Sequence, residues 1–178
     1  MYKRQHYKTL ELDKILKLLA DQTSIDDAKE MALSLEPQFE LEKVKKLLKQ
    51  TDDAVVLSGK YGTPSFGGAK NCANALRRAE AGGCLSTGEL LQIAETLRII
   101  RSVKEWHSKF ASTETTLDGY FSGLVSNKFL EEKITNAIIS EDEISDKASS
   151  TLADIRRKIR TASSKAREVL DKIIHSTQ

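Results

Sequence analysis

Basic side chains near the carboxyl end of this sequence have the chemistry needed to contact the phosphates of a nucleic acid. Residues 150–178 hold seven Lys or Arg against three Asp or Glu. Such contacts neutralise phosphates without reading base sequence, and they weaken steeply with salt. A solvated helix face is the alternative and the commoner origin of a charge run. The candidate phosphate contacts are Arg156, Arg157, Arg160, Lys165 and Arg167.

The other residues with reactive side chains lack the spacing of a catalytic or metal site. The glycines between residues 59 and 68 are not followed by Gly-Lys-Ser or Gly-Lys-Thr, so we interpret them as turn glycines. No histidine forms a motif with a Ser, Cys or acidic partner. The acids Glu141, Asp142, Glu143 and Asp146 lack the pattern of a calcium loop and favour a solvated turn. We predict no catalytic residue, cofactor or metal ion for this chain.

The cysteines indicate the compartment. Cys72 and Cys84 are the only two, and a single pair twelve residues apart is neither a disulfide framework nor a zinc motif. We expect reduced thiols in a cytoplasmic protein. Cys84 precedes a predicted helix start, which is a setting of reactive thiols, but we interpret it as a buried, inert thiol. The sequence has no signal-peptide core and no apolar run of about 20 residues, so no membrane partner is expected.

Helix signals dominate the elements that must position these residues. Ser86 and Glu89 fit a capping box at the start of one helix. Gly59 follows the predicted helix over residues 40–58 and is placed to end that helix. We expect an all-α, irregular helical bundle in which the third helix turns Leu41, Val44, Leu47, Leu48, Val55 and Val56 inward. The predicted helices cover 10–21, 24–33, 40–58, about ten residues before Gly82, 86–110, 117–124, 128–139 and 150–178.

The last of these helices carries an apolar stripe with a heptad repeat. Its members, spaced 3-4-3-4-3-4, are Leu152, Ile155, Ile159, Ala162, Ala166, Val169 and Ile173. Such spacing is typical of a coiled coil, and the helix would reach about 40 Å. We therefore divide the chain into a helical core over 1–149 and the start of a coiled-coil lever over 150–178. The seam could pack along the core, or its partner could be a downstream helix of a longer chain or another copy of this one.

Several short motifs stand in a distinctive order along the chain: Thr9 to Leu16, Pro64-x-Phe66-Gly67-Gly68, Leu76 to Ser86, Glu141 to Ser149, and Leu152-x-x-Ile155-Arg156. In order and spacing they resemble the second bacterial MutS family, the MutS-type endonuclease paralogue. The resemblance covers essentially the whole chain. One departure is the acidic turn, where the family often has a glycine between Asp and Glu that is absent here.

The resemblance implies a core-and-lever segment of a larger protein, continuing into helix beyond Gln178. The family is associated with branched or recombining DNA, suppression of recombination and, in some members, ribosomes and hence rRNA; it lacks the mismatch-reading domain of the repair proteins. Its members are homodimeric ATPases that use ATP and Mg²⁺ and carry a downstream endonuclease. The implied partners are downstream lever and clamp helices, a second protomer, branched DNA and the ribosome. A pure helical dimerisation scaffold without nucleic-acid contact is the alternative.

Overall fold

The computed structural model describes residues 4–176 and is almost entirely helical, which confirms the all-α prediction. Nine α-helices and one two-stranded sheet lie within that range. The strands, β1 (Ile138–Ser140) and β2 (Glu143–Ile144), form an antiparallel hairpin. The helices are α1 (Arg4–Thr9), α2 (Leu12–Asp21), α3 (Asp26–Leu33), α4 (Leu41–Tyr61), α5 (Ala73–Glu80), α6 (Thr87–Ser108), α7 (Asp118–Ser122), α8 (Lys128–Ala137) and α9 (Ser150–His175).

The core forms around α6, which is the helix with the clearest start signal. The predicted capping box is present: the Glu89 amide donates to Ser86 Oγ at 3.3 Å, and the Ser86 amide donates to Glu89 Oε2 at 2.9 Å. One face of α6 packs against α8 and β1. The buried cluster on that face consists of Ile93, Ala94, Ile134 and Ile138. Apolar side chains at helical spacing on α6 therefore hold the middle of the chain together.

An aromatic cluster closes the other end of α6 and explains why α4 is longer than predicted. Phe110 is 1% exposed and lies between Tyr61, Trp106 and Phe121. The Trp106 indole N–H donates to the carbonyl oxygens of Tyr61 and Gly62, which are among the carbonyls that a helix end leaves unpaired. The prediction that Gly59 ends this helix is wrong. Gly62 ends it, with φ at 76°, a conformation that glycine adopts without steric cost.

The outward face of α4 also differs from the prediction. Leu57 is the buried residue of this helix, whereas Leu41, Leu48, Val55 and Val56 are between 57% and 66% exposed. Leu41, Leu48 and Val55 do share one face of the helix, but that face is exposed, and the buried Leu57 lies on the other side. Near the amino end, α2 packs on α3, which begins at Asp26 rather than at the predicted cap Ser24.

The hairpin and a 3₁₀ turn connect the core to α9. The acidic residues Glu141 and Asp142 form the turn between β1 and β2, as expected of a solvated turn, but the strands were not predicted. Thr87 Oγ1 donates to the Glu141 carbonyl at 2.5 Å, which fixes the hairpin to the start of α6. A 3₁₀ turn over Asp146–Ala148 follows and packs against both α8 and α9.

Candidate partner-helix interface

The first turn of α9 is fixed by its own cap and by an arginine. Ser149 Oγ accepts a hydrogen bond from the Leu152 amide at 3.5 Å. Arg156 Nη1 donates to Asp146 Oδ1 and to the Ile144 carbonyl, each at 2.7 Å. Hydrogen bonding from Arg156 holds the pKa of Asp146 below its ordinary value. These contacts set the direction in which α9 leaves the hairpin.

Beyond that first turn, the apolar stripe of α9 is uncovered. None of the 26 residues of α9 is buried, and its main described contacts with the rest of the fold are with the 3₁₀ turn and, through Arg156, with the Ile144 carbonyl. Ile155, Ile159, Val169 and Ile173 are between 49% and 58% exposed. We call the seven residues from Leu152 to Ile173 that repeat at heptad spacing the α9 seam. The possibility that this seam packs along the core is thus wrong.

The α9 seam fits a coiled coil in a single register. Leu152, Ile159, Ala166 and Ile173 occupy position a, and Ile155, Ala162 and Val169 occupy position d. Burying one Leu or Ile side chain stabilises an assembly by about 1.5–3 kcal/mol. The two alanines place the closest approach of a second helix at the middle of the seam. The arrangement can therefore bind a helix.

The five predicted phosphate contacts lie on α9 but do not share one face. Arg160 and Arg167 occupy heptad position b, Lys165 occupies g, and Arg157 occupies f. Arg156 is bound to Asp146, Arg160 Nη2 lies 3.7 Å from Asp146 Oδ2, and Arg157 pairs with Asp154 at 2.9 Å. Lys165 and Arg167 are exposed and take part in no ion pair among the described residues. Any phosphate contact by Arg156 would compete with the link that fixes α9.

The structure changes the interpretation of two other candidate groups. Cys84 is exposed, so the prediction of a buried thiol is wrong; it lies in the irregular segment between the turn at Gly82 and the start of α6. His107 belongs to the aromatic cluster, stacks on Phe121 and lies 3.7 Å from a carboxylate oxygen of Asp118.

Among residues 4–176, no group of three or more His, Cys, Asp or Glu could hold a metal ion. Within the same range, no helix is long and apolar enough to cross a membrane.

Three interactions that join separate elements of the fold were not found from the sequence. The Arg156–Asp146 link spans ten residues and has no periodic signal. Arg101 binds Glu131 through two hydrogen bonds, at 3.1 and 2.8 Å, and so joins α6 to α8. Asp53 Oδ2 accepts hydrogen bonds from the Thr116 amide and hydroxyl, at 2.9 and 2.8 Å, and so joins α4 to the loop before α7. Each pair brings together residues far apart in sequence, which local patterns do not reveal.

Comparison with known proteins identifies relatives along almost the whole chain. The sequence is 39% identical over 175 residues to an endonuclease MutS2 of Acetivibrio thermocellus, covering 96% of this chain and 22% of the relative. It is 38% identical over 174 residues to an endonuclease MutS2 of Ruminiclostridium cellulolyticum, and 34% identical over 176 residues to one of Clostridium botulinum. This chain spans 22% of the length of each. No protein-family model matches it.

Proposed function

We propose that this chain, which belongs to the MutS2 family, is the core-and-lever module of an ATP-dependent DNA-processing protein. In this proposal residues 1–149 form part of the core and residues 150–178 begin the lever. The module has no catalytic role of its own. The ATP, the Mg²⁺ and the endonuclease activity that the family resemblance implies belong to other parts of a longer, homodimeric, cytoplasmic protein.

The uncovered α9 seam is the observation that carries this proposal. A helix of 26 residues extends about 39 Å at ~1.5 Å per residue, and Ile155, Ile159 and Val169 of its apolar stripe are about half exposed. The accessible surface of the whole chain agrees with this. It measures 13929 Å², whereas a compact monomer of 19.8 kDa exposes about 8,600 Å² by the usual size scaling. An open scaffold of this kind is stable when further helices cover it.

The proposed mechanism is mechanical transmission along α9. The Arg156–Asp146 link and the Ser149 cap join the base of the lever to the hairpin, and Thr87 joins the hairpin to α6. A displacement of the core would therefore change the direction of α9 and move a distal clamp. Branched DNA is the proposed substrate of the longer protein, and the ribosome is a second target that the resemblance implies.

Sedimentation of the 178-residue chain over a wide concentration range tests the lever. We expect a monomer whose α9 is cleaved early by protease, because the seam lacks its partner helix. Ile159→Asp should leave the thermal stability unchanged, since Ile159 is 58% exposed. A dimer that Ile159→Asp dissociates would contradict the lever and favour the alternative, a self-associating scaffold.

Titration with branched DNA at increasing salt tests direct nucleic-acid contact. Charge reversal at Lys165 and Arg167, which have no ion-pair partner among the described residues, should weaken binding and reduce its dependence on salt. Reversal at Lys43 and Lys46 on α4 is the matched control. Equal affinities for the two double variants would exclude α9 as a phosphate-binding surface.

A further inference from the structure

One edge of the α9 seam is lined by lysines in every heptad. Lys158, Lys165 and Lys172 all occupy position g, immediately beside the apolar stripe. At ~1.5 Å per residue these lysines are spaced about 10 Å apart along the helix. All three are exposed. The opposite edge, position e, is different: it holds Arg156, which is bound to Asp146, followed by Ser163 and Leu170.

No acid within residues 4–176 forms an ion pair with these three lysines, although Asp154 and Glu168 lie one helical turn from them. The ion pairs on α9 are Arg156–Asp146, Arg160–Asp146 and Arg157–Asp154, and none includes a g-position lysine. The acids of α9 itself, Asp154, Glu168 and Asp171, occupy positions c and f on the side away from the seam. Residues at e and g face the partner helix in a coiled coil and set the choice of partner. The charge at this edge is therefore available to a second helix.

We infer that the partner of the α9 seam is an amphipathic helix with a row of Asp or Glu along the edge that faces Lys158, Lys165 and Lys172. This inference rests on the proposed lever, and it adds the chemistry of the partner. The other edge of the partner helix does not need acidic residues, because it faces Ser163 and Leu170, which carry no positive charge. Recognition thus depends on one acidic edge.

A second copy of α9 does not meet this requirement. Antiparallel pairing of two α9 helices places the g-position lysines of one opposite those of the other, and like charges in that arrangement repel. Parallel pairing places Lys158 opposite Ser163 and Lys165 opposite Leu170 of the other copy, so neither lysine gains an opposite charge. Both arrangements also stack the small residues Ala162 and Ala166 near the centre of the contact, where little apolar area is buried.

Binding of synthetic heptad peptides to the 178-residue chain tests this inference. All peptides carry the same Leu and Ile seam. One has Glu at g and Gln at e, a second has Glu at e and Gln at g, a third has Gln at both, and a fourth has Lys at both. The acidic peptide whose Glu residues lie opposite the three lysines should bind about tenfold more tightly than the Gln peptide, because each of the three exposed ion pairs adds modestly to the affinity. The Lys peptide should bind more weakly, and 1 M salt should remove the differences.

Charge reversal identifies the residues responsible. The triple variant Lys158→Glu, Lys165→Glu and Lys172→Glu should bind the Lys peptide more tightly than either acidic peptide. The control, Lys29→Glu, Lys43→Glu and Lys46→Glu on α3 and α4, changes the net charge equally and should keep the original order. Equal binding of the Gln and acidic peptides to the unchanged chain would overturn the charge inference and leave the lever intact. Binding of none of the four peptides would overturn both.

Discussion

Arg156 and Asp146 join the base of α9 to the segment that follows the hairpin. The same guanidinium nitrogen of Arg156 lies 2.7 Å from Asp146 Oδ1 and 2.7 Å from the Ile144 carbonyl oxygen. Beyond this point the α9 seam has no cover from the described core. The helix is therefore held firmly at one end and is accessible to a partner along the rest of its length, which is the arrangement that a lever requires.

Asp146→Asn should loosen the base of α9. The variant removes the charge that holds Arg156 and attracts Arg160, so amide hydrogen exchange over residues 150–160 should become several-fold faster, while exchange in α6 is unchanged. Hydrogen exchange followed by mass spectrometry measures both regions. Arg157→Ala is the control, because Arg157 pairs with Asp154 inside α9. Equal exchange in the two variants would show that the link does not hold the helix.

Asp53 should make the stability depend on pH in the acid range. A hydrogen bond from Lys49, followed by those from Thr116, lowers the pKa of Asp53 from 3.8 to about 2. A carboxylate with a depressed pKa stabilises the fold above its unfolded pKa, and this stabilisation is lost as pH falls toward the folded pKa. The difference in Tm between the native chain and Asp53→Asn should therefore be constant above about pH 5 and shrink between about pH 4 and 2.

Circular dichroism melts at a series of pH values measure that difference. Asp52→Asn is the control, because Asp52 lies on the same helix and pairs with Lys49 but has no described bond to Thr116. A Tm difference for Asp53→Asn that stays constant down to pH 3 would contradict the role of Asp53.

Glu131→Ala should destabilise the contact between α6 and α8. Glu131 is 8% exposed and accepts two hydrogen bonds from Arg101, which also lower the pKa of Glu131. Its loss leaves the guanidinium without that partner, and we expect the free energy of unfolding to fall by about 1–3 kcal/mol. Urea titration followed by circular dichroism measures this change. Glu132→Ala, one residue away and exposed, should change it by less than about 0.5 kcal/mol.

Phe110→Ala should destabilise the fold more than any surface substitution. Phe110 is 1% exposed and contacts the rings of Tyr61, Trp106, His107 and Phe121. Removing a buried phenyl ring and leaving a cavity costs about 3–5 kcal/mol. Phe129→Ala is the matched control, since Phe129 is 75% exposed. Similar losses for the two variants in chemical denaturation would contradict the assignment of Phe110 to the core.

Local signals in the sequence predicted the helices and their strongest caps. Ser86 and Glu89 form the expected capping box because both partners lie within one helical turn. The seam over residues 152–173 was predicted because heptad spacing repeats three times. These features depend on neighbours in sequence, which is why a pattern reveals them.

Features that depend on tertiary contacts were not predicted. Gly59 looks like a helix end, but the Trp106 indole binds the carbonyls of Tyr61 and Gly62 and thereby supports another turn of α4. The exposed apolar face of α4 was assigned inward because the spacing of apolar residues shows which of them share a face, but not whether another element packs on that face. The five basic residues of α9 do not form one face, because Arg156 and Lys165 lie at opposite edges of the α9 seam, at positions e and g.

The rate of thiol labelling at Ile159→Cys tests the central claim most directly. The measurement uses a background with Cys72→Ser and Cys84→Ser, and compares this chain with a protein of its relatives' length that contains it. We predict rapid labelling in the 178-residue chain, because the seam is exposed, and labelling slower by about a hundredfold or more in the longer protein, where a partner helix covers it. Equally rapid labelling in both proteins, or protection already present in the shorter chain, would contradict the account.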